Sequence, residues 1–141
     1  MPFVVVGGHA VIFHGYVRTT EDVDVVWLRS PESEAALVSA LTEANARWIS
    51  DEIDPATGIE RLVPVSDGYV RSHHLLMLVT DYGFLDVFDY VPGAPTADAR
   101  ELYNQGISSG DVRYASLPWL RTMKRAAGRP RDAEDLDNLP P

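Results

Sequence analysis

The chain has 141 residues, of which 45% are hydrophobic and 23% charged, with a formal net charge of −9 and no cysteine. That mixture belongs to a globular protein with one hydrophobic core, too short for two ordinary domains. It excludes disulfides and thiolate metal sites, argues against nucleic acid bound over the whole surface, and leaves no apolar run near the roughly 20 residues of a membrane span.

Taken in order, Phe3 to Val6 is short, β-branched and stopped by Gly7-Gly8, which predicts a buried strand. His9 to His14 then predicts a short helix closed by Gly15, and Arg18 to Glu21 a polar turn. Asp22 to Leu28 predicts the second strand, with Asp22, Asp24 and Val26 on one face and Val23, Val25 and Trp27 on the other. Ser30-Pro31-Glu32 has the chemistry of a helix start, and that helix is expected to run to about Arg47. Asp51 to Gly58 predicts a loop, and Ile59 to Val65 an edge strand because Pro64 cannot donate to a ladder. His74 to Thr80 and Phe84 to Val91 predict two strands joined at Asp81-Tyr82-Gly83. On the second, Phe84, Asp86, Phe88 and Tyr90 share one face. Ala97 to Gln105 predicts a helix, Ser108-Ser109-Gly110 a turn and Val112 to Ala115 a short strand. Pro118 to Ala127, with Gly128 after it, and Arg131 to Leu139 predict the last two helices. The expected architecture is one α+β domain over residues 1–141, a mixed sheet flanked by helices.

Chemistry concentrates on acids. An Asp-x-Asp at a strand start presents two hard oxygen donors on one face, which suits magnesium. Asp86 stands inside an apolar strand, Leu85-Asp86-Val87, where a charge is costly without a cation or partner. Asp89 has a similar setting on the opposite face. Gly7-Gly8, leading into a helix, can cradle phosphate or serve as a plain tight turn. Against the acidic background, Arg121, Lys124, Arg125, Arg129 and Arg131 crowd one short segment. His9, His14, His73 and His74 lack the spacing of a zinc site, and Trp27, Trp48 and Trp119 suit core or interface positions.

Gly7-Gly8-His9-Ala10, Arg18-Thr19-Thr20-Glu21-Asp22-Val23-Asp24, Tyr82-Gly83-Phe84-Leu85-Asp86-Val87 and Met123-Lys124-Arg125-Ala126-Ala127-Gly128-Arg129-Pro130-Arg131-Asp132 occur in this order. The series resembles the small DNA-polymerase-β-type nucleotidyltransferases, the AbiEii-like group and the minimal nucleotidyltransferases that serve as antitoxins. The resemblance spans nearly the whole chain. It implies a mixed sheet flanked by helices, Gly7 and Gly8 at the phosphates, and Asp22, Asp24 and Asp86 at magnesium. It further implies that Lys124 faces the nucleotide side of the cleft. Physically, Lys124 can act as a point charge on the triphosphate with Arg129 assisting, and Arg18 and Thr19 are expected to orient the acidic strand. The more usual Gly-Ser is Gly-Gly here.

The expected function is transfer of a nucleoside monophosphate, AMP from ATP by resemblance, to an acceptor hydroxyl, with Asp22, Asp24 and Asp86 as catalytic, metal-holding acids. A partner toxin protein is the favoured acceptor over nucleic acid, and the expected location is the cytoplasm. Two alternatives stand beside it: a non-catalytic antitoxin acting by contact, and a toxin that modifies tRNA.

Overall fold

A computed structural model describes residues 1–141. Its centre is an eight-stranded mixed sheet. In chain order the elements are β1 (Phe3–Val6), α1 (Gly7–Phe13), β2 (Asp22–Trp27), α2 (Pro31–Glu43), β3 (Arg47–Ile53), β4 (Glu60–Pro64), α3 (Asp67–Ser72), β5 (Leu75–Thr80), β6 (Gly83–Phe88), α4 (Ala99–Asn104), β7 (Ile107–Ser109), β8 (Val112–Tyr114), α5 (Leu117–Ala127) and α6 (Pro130–Asn138). The strands lie in the order β4-β3-β5-β6-β2-β1-β8-β7. Only the β2–β6 and β1–β8 pairs are parallel. No helix is long and apolar enough to cross a membrane.

Local chemistry sets the helix ends. Ser30 accepts the Ser33 amide at 3.0 Å and Pro31 opens α2, as its sequence indicates. The helix stops at Glu43, short of Arg47, because Asn45 turns left-handed at φ 53° and reverses the chain. Residues 47–53, expected partly as helix end and partly as loop, instead form β3. Gly128 at φ 63° closes α5, its amide donating to Lys124 O at 3.1 Å. Gly7 and Gly8 are the first residues of α1 rather than a turn before it. The Ser108-Ser109 turn is likewise corrected to a strand, β7, paired with β8. Helix α3 has no counterpart in the expectations.

Strand alternation divides the core. On one face Val5, Val25, Trp27, Leu76, Leu78 and Val87 pack with Leu37, Leu41 and Val70 from α2 and α3. On the other, Val4, Val6 and Val26 pack with Leu102 and Met123 from α4 and α5. Burying such apolar side chains contributes about 1.5–3 kcal/mol each. The second face is covered over β1 and β2 but not over the strands beyond β6, and the acidic residues lie where that cover ends.

Candidate active site

The acids meet because of strand register. In the parallel β2–β6 pair, Asp24 stands opposite Asp86 and Asp22 opposite Phe84, so all three carboxylates emerge on one face. Asp24 and Asp86 come within hydrogen-bonding reach of each other. Burial first, and then the charge of Asp24, push the Asp86 carboxyl up to about 6. Burial also raises Asp24, more than its hydrogen bond to Asp86 lowers it, and Asp22 adds like charge. None of the three is in a salt bridge. Asp89, by contrast, points to the opposite face and is paired with Arg29 at 2.8 Å and His74 at 2.8 Å.

Three hollows meet at these carboxylates. The first, of about 180 Å³, has a partly apolar wall of Phe88, Pro92, Leu120, Met123 and Ala127. The second, of about 190 Å³, has no hydrophobic lining residue and is ringed by Arg18, Lys124, Arg129 and Arg131 with Gly7 and Gly8. The third is lined by Ile49, Met77, Leu78, Val79 and Phe84. Asp22 borders all three hollows, Asp24 the first two, and Asp86 the first and third.

Gly7 is required where it stands. Its φ is 65°, and a Cβ there would run into the Asp24 carboxylate. A Cβ on Gly8 would sit 2.6 Å from Thr20 Oγ1. The start of α1 therefore lies flush against the acidic strand, and its Val6 N-cap offers no side-chain acceptor to the first amides.

The basic segment is arranged differently from its sequence reading. Lys124 reaches the cleft but is only 6% exposed, and its Nζ lies 3.1 Å from Asp132 Oδ1 and 2.9 Å from Asp135 Oδ2. Its charge is thus already matched by two carboxylates, and one of its three protons is left for the cleft. Arg18 grips Asp135 through two bonds of 2.6 and 2.8 Å, and Arg129 Nε donates to Asp132 at 2.7 Å. Arg131 donates to Thr19 O at 2.8 Å, whereas Arg121 turns to Pro140 O and Arg125 is exposed away from the cleft lining. Arg18 also donates to Thr19 O at 2.9 Å, and Thr20 Oγ1 to Asp22 O at 3.3 Å.

Asp132 and Asp135 are the residues that sequence reasoning missed. Burial works against their ionisation, yet bonds from Arg129 and Lys124 hold Asp132 at about 2, and bonds from Arg18 and Lys124 hold Asp135 below the ordinary carboxylate range. The signal was there: two acids three apart on one helix face, following a basic segment. The four histidines stay outside the cleft lining; His14, for example, bonds Ala115 O at 2.7 Å. Trp27 is fully buried, Trp48 stacks on Tyr69 at 4.9 Å, and Trp119 donates to Gln105 at 2.7 Å.

The donor set fits magnesium in one specific sense. No three acidic or histidine side chains close into a group that could hold a metal ion alone. Magnesium, however, is ordinarily held by one or two carboxylates plus water and substrate phosphates. Two partly buried carboxylates side by side, in no ion pair although Lys124 and Arg129 attract Asp24 from across the cleft, and with a third beyond them, supply that kind of incomplete shell. No protein-family model and no curated protein matches this chain.

Proposed function

We propose that this chain is a magnesium-dependent nucleotidyltransferase with a polymerase-β-like fold, moving a nucleoside monophosphate, AMP from ATP in the first instance, onto an acceptor hydroxyl. The observation that carries this reading is the acidic set, free of any ion pair, at the junction of three hollows of different chemistry. An all-polar hollow ringed by cations suits a triphosphate. Its half-apolar neighbour suits the nucleoside, and the third leaves room for an acceptor.

Magnesium bound by Asp22, Asp24 and Asp86 would supply charge stabilisation to the reacting phosphoryl group. The chain's own residues do the rest. Arg129 and the remaining proton of Lys124 face the triphosphate, and the glycine backbone of α1 allows close approach. In the transfer the acceptor oxygen bonds the α-phosphorus while the bond to the bridging oxygen breaks, and pyrophosphate leaves with that electron pair. The hydroxyl proton passes to a carboxylate oxygen of Asp86, which borders the nucleoside and acceptor hollows and, unlike Asp22, stays out of the triphosphate hollow. The buried network of Asp132 and Asp135 holds Arg18 and Lys124 still, so that the cleft is organised before substrate arrives.

The test is labelling. The protein is incubated with each α-³²P nucleoside triphosphate, magnesium and cell extract, and the labelled molecule is identified. Transfer that disappears in Asp24→Asn supports the reading. Absence of label and of pyrophosphate, with no rise in melting temperature on adding magnesium and any triphosphate, overturns it. A partner protein whose toxicity is still neutralised by Asp22→Asn/Asp24→Asn would show inhibition by contact instead.

A further inference from the structure

The third hollow opens onto an uncovered part of the sheet. Two cross-strand rows lead outward from the acids. One runs from Asp22 through Phe84 and Val79 to Arg47 and Pro64. The other runs from Asp24 through Asp86 to Met77, and Ile49 and Leu62 continue the same side on β3 and β4. The opposite face of these strands is buried under α2 and α3, but here no helix lies on top. Met77 is 61% exposed, Phe84 51%, Ile49 49% and Leu62 39%. Four large apolar side chains side by side, ending at a carboxylate, form a patch of the kind that marks an interaction site.

The charge around the patch selects its occupant. Its far end, where β3 turns into β4, carries Asp51, Glu52, Asp54 and Glu60 against Arg61 alone. The near end carries Asp22 and Asp86, and the half-buried Arg47 is the one cation within the two rows. A nucleic-acid acceptor would bring its phosphates against both ends, at a Coulomb cost and without the basic surface that such binding needs. A protein segment with apolar and basic side chains matches the middle and the rim together.

Building on the nucleotidyltransferase reading, we propose that the sheet face formed by Leu62, Ile49, Met77 and Phe84 is the acceptor-docking surface, and that the acceptor is an apolar, basic protein segment delivering its hydroxyl to Asp86. The apolar side chains provide grip, the acidic rim provides orientation, and the row geometry aims the bound segment at the acids.

Docking is measured without triphosphate or magnesium, so the result does not depend on transfer. The probe is a fluorescein-labelled peptide alternating Lys with Leu and Val around one Tyr, read by anisotropy, with total tRNA as competitor. Expected is saturable binding that weakens with salt and becomes about tenfold weaker in Ile49→Ser/Met77→Ser. Asp51→Asn/Glu60→Gln should reduce the salt dependence. Because these side chains are exposed, both variants should melt close to the wild type, and Ile49→Leu/Met77→Leu should restore affinity. No saturable binding, unchanged affinity in the Ser pair, or tighter tRNA binding lost in the same pair would each overturn the proposal. So would a wild-type dimer by sedimentation that the Ser pair dissociates, since the face would then belong to a second copy. The transferase reading fails by a different result: no thermal shift with magnesium and any triphosphate.

Discussion

Replacing Asp86 by Asn should stabilise the metal-free protein while abolishing its response to magnesium. The Asp86 carboxyl is raised from 3.8 to about 6, by burial first and the Asp24 charge second. Roughly two units at about 1.36 kcal/mol each set a ceiling near 3 kcal/mol. The side chain faces an open cleft, so solvent screening roughly halves this, to about 1.5 kcal/mol. A chain of this length changes its unfolding free energy by about 0.3 kcal/mol per degree near the melting temperature. The variant should therefore melt about 5 °C higher in EDTA at pH 7. The pH dependence has a definite sign. Between about pH 4 and 6 the native state keeps a proton that the unfolded state has released. This contribution thus makes the wild type less stable as pH rises through that window, and constant above it. Asp86→Asn lacks that slope, so the gap between the two proteins opens from pH 4 to 6. Thermal melts by circular dichroism in EDTA and in magnesium measure all of this. A variant less stable than wild type at pH 7 in EDTA, or one that magnesium stabilises equally, would refute the reasoning.

Asp135→Asn leaves Arg18 and Lys124 short of a buried counter-charge, and should cost about 3 kcal/mol in urea denaturation. Asp132, held at about 2, supports the fold above the ordinary carboxylate range, and that support should fade as pH falls from about 4 to about 2, read as a falling urea midpoint. Gly7→Ala, at φ 65° and against the Asp24 carboxylate, should lose the thermal shift given by magnesium and ATP while the far-ultraviolet spectrum keeps its sheet signal. Gly128→Ala, at φ 63°, should cost about 1 kcal/mol, or about 3 °C, and leave that thermal shift unchanged.

Regular alternation and cap chemistry were legible in the sequence. Phe3–Val6, the Asp22 strand, the Ser30-Pro31 helix start, the hairpin at Asp81-Tyr82-Gly83 and the Gly128 stop all follow from rules acting over a few residues. The acidic site was legible for the same reason: Asp22 and Asp24 share a face by periodicity, and Asp86 is conspicuous among Leu85 and Val87. What was not legible depends on distant partners. Residues 47–53 become a strand because β5 and β4 flank them, although Arg47-Trp48-Ile49-Ser50-Asp51 shows no clean alternation of its own. Ser108-Ser109 is drawn into β7 by pairing with β8. The pairing of Lys124 with Asp132 and Asp135 needed the angle between α5 and α6, which composition does not encode.

The two charge clusters of this cleft are opposite solutions to one problem. Behind the cleft, Arg18 and Lys124 alternate with the buried Asp135 and Asp132, and the exposed Arg129 closes the row on Asp132, so each buried charge is bonded to an opposite one and the cost of desolvation is offset within the protein. In front, Asp24 and Asp86 press together with no cation between them, and the strain shows as a carboxyl that holds its proton up to about pH 6. A fold that needed only stability could have placed an Arg beside Asp86, as it placed Arg29 beside Asp89 at 2.8 Å on the same strand end. Keeping one cluster closed and the other open concentrates the chain's unmet affinity for cations at a single point. That point is also where the half-apolar hollow, the cation-ringed hollow and the hollow on the open sheet face meet, so an ion drawn there would touch whatever fills each of them.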